Sequence, residues 1–331
     1  MNRLSTIALV SLALAPISAS ADEPRPGTEL VRKGDEIVVC GRLFHIGTPV
    51  VLWTDPGGYD AYRVERRFTP LAESGWDQSK TALARPNRFG MRSARLSPEQ
   101  IERVRGGGWD LPLLQDVVDQ FVIHFDVCGT SKRCFQVLHD SRGLSVHFML
   151  DIDGTIYQTL DLKESAWHAT IANSRSVGIE IANMGAYPVG GSNPFAAWYQ
   201  PQGDAAPKLI IPNDPAKTSI RLPELDLRPA RPRPVVGEIQ GKRLEQYDLT
   251  PQQYAALIKL TAALTTIFPK ITLDYPRDAA GKPIDRKLPD DQLRAYRGVL
   301  GHYHVQTNKV DPGPAFQWDT LIDGARALRG R

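Results

Sequence analysis

A short segment between residues 301 and 316 carries several side chains that can bind a metal ion or move protons. Its sequence, GHYHVQTNKVDPGPAF, includes His302, Lys309 and Asp311. The prolines and glycine that follow Asp311 fix a turn and cannot continue a helix, so they can hold these side chains in place. Imidazole and carboxylate groups together suit a divalent transition metal, most often zinc when a fourth position is left open for water. The segment therefore predicts part of a metal site, with one ligand to come from elsewhere.

His124 is the best candidate for that further ligand. It lies in the segment QFVIHFD over residues 120–126, whose apolar run is typical of a buried strand. Strand alternation places His124 on the face opposite to Phe121, Ile123 and Phe125, close to the point where the strand meets its loop. Functional sites in α/β folds favour such strand ends.

Glu180 is a candidate general base. It lies in a second strand-like segment, SVGIEIAN over residues 176–183, on one face with Gly178 and Ala182. A carboxylate between two very small residues has open space above it. Such a group is well placed to act as a base in a cleft.

Five motifs in fixed order resemble the zinc-dependent N-acetylmuramoyl-L-alanine amidase family, which is related to the peptidoglycan-recognition proteins and to phage amidase lysozymes. They are IHFD, SVHFMLDIDGTIYQ, AWHA, SVGIEIAN, and GH with K-x-DPGPAF, over roughly residues 118–183 and 249–318. The resemblance implies an α/β fold with a central mixed β-sheet flanked by helices. It also implies hydrolysis of the amide bond between N-acetylmuramic acid and L-alanine in peptidoglycan or muropeptides. The alternative is a related protein that binds peptidoglycan without cleaving it.

The same resemblance implies roles for individual residues. Zn²⁺ would be held by His124, His302 and Asp311, leaving a fourth position for a water whose pKa falls to about 7. Glu180 would move the proton from this water to the leaving amine, and Lys309 would neutralise the developing oxyanion.

Other residues leave alternatives open. His304 is the rival of His302 as the second histidine ligand, although the Gly-His pairing favours His302. The motif resemblance further implies substrate contacts by Trp167, His168 and Asn183. For His168 the alternative is a loop histidine stacked on Trp167.

The first 21 residues are typical of a signal peptide. A basic MNR start is followed by an apolar run over residues 4–17 and by the small-x-small sequence that ends at Ala21. This run is too short for a membrane anchor, and no second run approaches the length of a membrane span. The sequence predicts export to the periplasm or outside the cell, without a membrane span, after cleavage near Ala21.

Cysteine pairing is a further expectation from the resemblance, because peptidoglycan-recognition proteins often have a small disulfide loop in a similar place. A disulfide between Cys128 and Cys134 would stiffen the loop that follows His124, and an oxidising compartment permits it. A purely structural zinc site, with Cys128 or His304 as a fourth ligand, is the remaining alternative. Cys40 is left without an assignment.

Length and composition predict one or two domains with a sizeable core, since 42% of the 331 residues are hydrophobic. A small β-rich extension is expected at 22–96 and an amidase catalytic domain at 97–331. Within the latter, 184–247 is a long Pro-rich insertion, expected to be extended and loop-like, that either shapes substrate choice or wraps the surface. Helices are expected to begin at the capping boxes that follow Ser97 and Thr250.

Charge excludes one class of partner. The net charge is only +3, and no block of Lys and Arg is interleaved with aromatic residues. Nucleic acid is therefore not expected as a partner. The oligomeric state is left open.

Overall fold

The computed structural model describes residue 29 and residues 31–75 and 88–330. The chain divides into two units, Met1–Lys33 and Gly34–Arg331. All the elements described below belong to the second unit.

The centre of this unit is a six-stranded mixed β-sheet. In spatial order its strands are Gly298–Gly301 (β15), Gln120–Phe125 (β5), Ser176–Ile181 (β9), Phe148–Leu150 (β6), Ile156–Gln158 (β7) and Val50–Leu52 (β3). The first four run parallel to one another, β7 pairs antiparallel with β6, and β3 pairs parallel with β7. The predicted α/β class with a central mixed sheet is confirmed.

Smaller sheets surround this centre. The remaining strands are Glu36–Val39 (β1), Arg42–His45 (β2), Phe89–Met91 (β4), Glu164–Ala166 (β8), Ala186–Pro188 (β10), Tyr199–Gln202 (β11), Ala205–Leu209 (β12), Val235–Ile239 (β13) and Lys242–Gln246 (β14). They pair as β1-β2, β4-β8, β11-β12 and the three-stranded β10-β14-β13.

Helices cover the sheet, and two of them begin as predicted. The α-helices are Pro98–Arg105 (α1), Leu111–Val117 (α2), Ser131–Phe135 (α3), Phe195–Trp198 (α4), Pro251–Ile267 (α5), Asp290–Ala295 (α6) and Trp318–Arg329 (α7), and a π-helix spans Gln136–Ser141. Ser97 and Thr250 both form complete capping boxes, which satisfy backbone N–H groups at the starts of α1 and α5. Each helix in the described part of the chain is too short or too polar to cross a membrane.

Strand alternation decides which side chains reach the site. Phe121 and Ile123 are fully buried and belong to the same hydrophobic core as Leu257 and Leu260 of α5. Burying side chains of this size contributes about 1.5–3 kcal/mol each. The register is therefore strongly fixed, and His124 must point to the opposite face.

The N-terminal segment is part of this architecture. It contains β1 and β3, and β3 is the edge strand of the central sheet. The Gln158 side chain also bonds to both backbone groups of Val38, at 2.8 Å each. The domain boundary placed at residue 96 stays a prediction, as does the signal peptide at 1–21, which lies outside the described residues.

The predicted insertion at 184–247 is more ordered than the expected extended, loop-like segment. It contains β10 to β14 and the helix α4. The hairpin between β13 and β14 turns at Gln240 and Gly241, whose φ angles of 54° and 69° lie in the left-handed region. Two such residues form the type I′ turn that matches strand twist. Gln-Gly is a weaker signal for this turn than Asn-Gly, so the sequence does not predict this hairpin.

Candidate metal centre and active site

Three adjacent parallel strands bring their carboxyl ends to one edge of the sheet. His124 in β5 is paired with Glu180 in β9. On the other side of β5, Gly301 ends β15, so His302 is the next residue along the chain. Ligand sites in α/β sheets lie at this edge. Three residues predicted from separate segments are thus brought together.

Asp311 reaches the same point from a loop. The chain makes a 3₁₀ turn at His302–His304 and then returns, and the Tyr303 N–H donates to the Asp311 carbonyl at 3.1 Å. This backbone bond places the Asp311 side chain beside His302. The choice of Asp311 as the third predicted ligand agrees with this geometry.

The candidate ligand atoms form a small, nearly equilateral triangle. His124 Nδ1 lies 2.9 Å from His302 Nδ1 and 3.0 Å from Asp311 Oδ2, and His302 Nδ1 lies 2.9 Å from Asp311 Oδ2. All three side chains are buried. Because zinc–ligand distances are about 2.0–2.2 Å, one ion can lie at bonding distance from all three atoms.

The outer hydrogen bonds of the two histidines support this reading. His302 Nε2 donates to the Gln306 Oε1 at 2.7 Å, and His124 Nε2 lies 2.9 Å from His168 Nδ1. A neutral histidine carries one N–H. With both protons on Nε2, two imidazole lone pairs and a carboxylate oxygen face each other without a donor between them. A divalent cation fits this donor set.

The pKa shifts of His124 and Asp311 also favour metal binding. Burial and the nearby charge of His302 lower the pKa of His124 to about 4. Burial alone would raise the pKa of Asp311, but the charge of His302 and hydrogen bonds to both histidines outweigh it and hold this pKa below its usual range. Neutral imidazole and ionised carboxylate are the forms that bind metal.

His304 is not a ligand in this arrangement. It is fully buried, accepts from the Gly301 N–H at 2.9 Å and donates to the Ile284 carbonyl at 2.8 Å, so both ring nitrogens are used by the backbone. Neither His304 nor Cys128 belongs to the group of possible ligands found among the described residues. The alternative of a four-ligand structural zinc site has no support here.

A cavity of about 170 Å³ opens next to the three ligands. The charged side chains of its wall are those of Asp126, Arg142, Glu180, Lys309 and Asp311. Glu180 Oε2 is buried and has no hydrogen-bond partner within the described residues. Burial, then the charges of Asp311 and Asp126, raise the pKa of Glu180 well above its usual value. The site thus combines a half-buried carboxyl group with the ammonium group of Lys309.

The predicted substrate contacts divide into two groups. Trp167 and His168 line the cavity. His168 packs edge-on against His124 and His147 rather than stacking on Trp167. Asn183 does not line the cavity: it is buried, its amide donates to the Tyr247 carbonyl, and its Oδ1 accepts from the Gly185 N–H. The Asn183 side chain is thus hydrogen-bonded within the protein, and its substrate contact stays a prediction.

The predicted disulfide is not formed in the structure. Cys128 and Cys134 line the cavity, and both are free thiols. Cys40, elsewhere in the fold, is also a free thiol. Burial and a hydrogen bond with Cys128 raise the pKa of Cys134 well above its usual value. The two thiols are in contact without being joined.

Residues 114–213 match the family model described as N-acetylmuramoyl-L-alanine amidase, Amidase_2. This part of the chain is similar to the Amidase_2 family. The match includes His124 and Glu180 and extends into the segment predicted as an insertion. It ends before His302 and Asp311, which the fold brings to the same place.

Solved structures of similar shape carry related descriptions. The amidase AmiD from E. coli, in complex with anhydro-N-acetylmuramic acid-L-Ala-D-gamma-Glu-L-Lys, is 18% identical, with 62% of this chain and 57% of that chain covered and a TM-score of 0.35. The endolysin amidase LysCS from Clostridium intestinale is 16% identical, with 64% and 86% covered and a TM-score of 0.33. No curated protein matches the chain.

Asp126 is a residue of the Amidase_2 region that the sequence did not single out. Its Oδ1 accepts from the N–H groups of Cys128, Gly129 and Asn183 at 2.8–3.1 Å. Its Oδ2 is buried without a partner among the described residues, and burial raises the pKa of Asp126 to about 7. The motif IHFD contains this aspartate, but nothing in the sequence shows that three backbone groups converge on it.

Gln246 is a second such residue, and it joins the predicted insertion to the ligand loop. Its amide donates to the Pro312 carbonyl at 3.0 Å, and its Oε1 accepts from the Ala315 N–H at 3.0 Å. Gly313 lies between them with φ of +85°, and a Cβ there would come 2.1 Å from Gln246 Oε1. The insertion thus fixes the loop that carries Asp311.

We expect Gln246→Leu to lower both stability and zinc affinity. Leucine fills the space but leaves the Pro312 carbonyl and the Ala315 N–H unpaired, at about 1–3 kcal/mol for each buried group. Thermal unfolding and a zinc titration measure the two effects. Gln200→Leu, at an exposed position of β11, is the matched control and should change neither. Unchanged zinc affinity in Gln246→Leu would show that Asp311 needs no support from this segment.

Proposed function

We propose that this protein is a zinc-dependent N-acetylmuramoyl-L-alanine amidase that hydrolyses the bond between N-acetylmuramic acid and L-alanine in peptidoglycan or muropeptides. The observation that carries the proposal is the convergence of His124 Nδ1, His302 Nδ1 and Asp311 Oδ2 beside a cavity lined by Glu180. The Amidase_2 match over residues 114–213 supports the same reaction class.

Each residue of the site has its own role in amide hydrolysis. His124, His302 and Asp311 would hold the ion, which when bound supplies Lewis acidity to activate water and polarise the scissile carbonyl. Glu180 takes the proton from the attacking water. Its raised pKa lets it hold this proton until it passes to the nitrogen of the leaving L-alanine.

Lys309 would stabilise the negative charge that forms during the reaction. It lines the same cavity as Glu180 and Asp311, and its ammonium group makes no hydrogen bond or ion pair with another described residue. A cation so placed can stabilise the negative charge that develops on the carbonyl oxygen. Its role is to bind the transition state more strongly than the substrate.

Export and cysteine oxidation belong to the same proposal. A signal peptide at residues 1–21 would deliver the protein to the periplasm or outside the cell, where peptidoglycan is found. In that oxidising compartment the adjacent Cys128 and Cys134 can join in a disulfide, which would stiffen the loop after His124.

Digestion of purified muropeptides tests the reaction. We expect the mature protein with Zn²⁺ to release free stem peptides that begin with L-alanine, which mass analysis identifies together with the freed sugar. A chelator should stop the release, and added Zn²⁺ should restore it. A protein that binds muropeptides without cleaving them would retain the substrate and release no peptide. Release that survives complete removal of metal would contradict the zinc mechanism.

A further inference from the structure

The second ring nitrogen of the ligand His124 is held by another histidine, not by a carboxylate or a backbone carbonyl. His124 Nε2 lies 2.9 Å from His168 Nδ1, and His168 Nε2 lies 3.2 Å from Ser176 Oγ. The three side chains form one hydrogen-bonded row that leads away from the metal centre. A metal-binding histidine needs such an outer partner, because the partner fixes which nitrogen keeps the proton.

The direction of this row decides whether His124 can bind a cation. If His124 Nε2 donates to His168 Nδ1, then His168 Nε2 donates to Ser176 Oγ, and His124 Nδ1 is left as a free lone pair toward His302 and Asp311. In the opposite direction a proton would occupy His124 Nδ1 and block the ion. A serine hydroxyl at the end of the row can accept the His168 proton that the first direction requires.

The Asn173 side chain and the space at Gly178 hold the His168 ring in this position. Asn173 Oδ1 accepts from the N–H groups of His168 and Ala169, at 3.1 and 2.6 Å. On the ring's other side, the absence of a side chain at Gly178 makes room: a Cβ there would come 2.5 Å from His168 Nδ1 and Cε1. The glycine between Ser176 and Glu180 is therefore required by the ring of His168.

We infer that His168 is a positioning residue that holds His124 in its metal-binding tautomer, with Ser176 accepting the proton at the far end of the row and Gly178 providing the space. This role differs from the substrate contact expected for His168 from the sequence. It concerns ion binding, which is measured without substrate, so its failure is distinguishable from failure of the proposed hydrolysis.

Two variants at His168 separate the polar contact from the shape of the ring. His168→Phe keeps a ring but removes the acceptor, and we expect Zn²⁺ affinity to fall about 10–100-fold. His168→Asn places an amide oxygen near the position of Nδ1, and affinity should return to within about 5-fold of the wild type. Competition with a chromophoric chelator gives the affinities. The visible spectrum of the Co²⁺-loaded protein reports whether the ligand geometry has changed.

Gly178→Ala tests the same role without removing a polar group. The added methyl group must displace the His168 ring, so we expect a fall in Zn²⁺ affinity in the same range as for His168→Phe. Gly106→Ala is the matched control: a Cβ there would meet nothing closer than 3.5 Å, far from the site in sequence. It should leave affinity and the Co²⁺ spectrum unchanged.

The outcomes decide between positioning and substrate contact. Wild-type affinity and an unchanged Co²⁺ spectrum in both His168→Phe and Gly178→Ala would overturn the proposal, and a rise in KM alone would then assign His168 to the substrate. If His168→Phe fails to fold, the comparison of His168→Asn with Gly178→Ala still decides. High affinity in the first and low affinity in the second supports positioning, while equal and wild-type values refute it.

Discussion

Glu180→Gln is expected to lower kcat by about 10²–10⁴-fold, the usual contribution of a positioned general base. The amide has the size of the carboxylate but cannot take a proton from water. Zinc affinity should remain close to that of the wild type, because Glu180 is not one of the three side chains that converge on the ion position. Kinetics on a purified muropeptide and a zinc titration measure the two quantities.

The same variant should be at least as stable as the wild type. Glu180 Oε2 is buried without a partner in the described part of the chain, and burial and the charge of Asp311 both disfavour its ionised form. Replacing an unpaired buried charge by a neutral group removes this cost. Active sites commonly hold such destabilising groups for the sake of activity. An inactive protein with an equal or higher Tm is therefore the expected combination.

Glu164→Gln is the matched control for this prediction. Glu164 is also a half-buried glutamate whose pKa is raised by burial, but it lies in β8 and does not line the cavity. Its replacement should leave kcat unchanged. If both Glu180→Gln and Glu164→Gln retained wild-type kcat, Glu180 could not be the base. Another cavity group, such as Asp126, would then have to be tested.

The candidate metal centre could be predicted from the sequence because its possible ligands lie at positions that local rules identify. His124 ends an apolar strand, and Asp311 precedes a proline–glycine turn, so each is visible in its own segment. The sequence does not separate His302 from His304 as clearly, since the two histidines lie only two positions apart in the same segment. Only the backbone bonds to His304 show that it is the structural one of the pair.

The residues that support the ligands could not be predicted in this way. Gln246 contacts Pro312 across 66 positions of the chain, and its segment resembles a surface loop when considered alone. Asn183 is the last residue of the motif SVGIEIAN, yet its side chain bonds to Tyr247 in the segment that follows. Such contacts depend on tertiary packing, which the spacing of residues within one motif does not reveal.

Asp311→Asn is expected to reverse the order of stability between metal-free and zinc-loaded protein. Without metal, the wild-type carboxylate faces His124 Nδ1 and His302 Nδ1 at 3.0 and 2.9 Å. An asparagine amide can donate to one of these nitrogens while both histidines keep their outer hydrogen bonds. The metal-free variant should therefore unfold at a temperature equal to or above that of the metal-free wild type.

With zinc present the order should invert, because the variant has lost the only charged ligand of the three. An ion that binds the folded state stabilises it by about 4 kcal/mol at a concentration 1,000 times its dissociation constant. For a chain of this size that corresponds to roughly 6 °C in Tm for the wild type. The variant, with much weaker zinc binding, should show little of this rise.

Thermal unfolding of both proteins, with zinc and with chelator, tests this crossover, and His304→Gln serves as the neighbouring-histidine control. The control removes backbone hydrogen bonds, so it should lower Tm in both conditions while leaving the zinc-dependent rise intact. Equal zinc-dependent rises in the wild type and Asp311→Asn would mean that the carboxylate does not bind the ion. The inward-facing arrangement of His124, His302 and Asp311 would then need another cause, and a proton shared between Asp311 and one histidine would be the simplest.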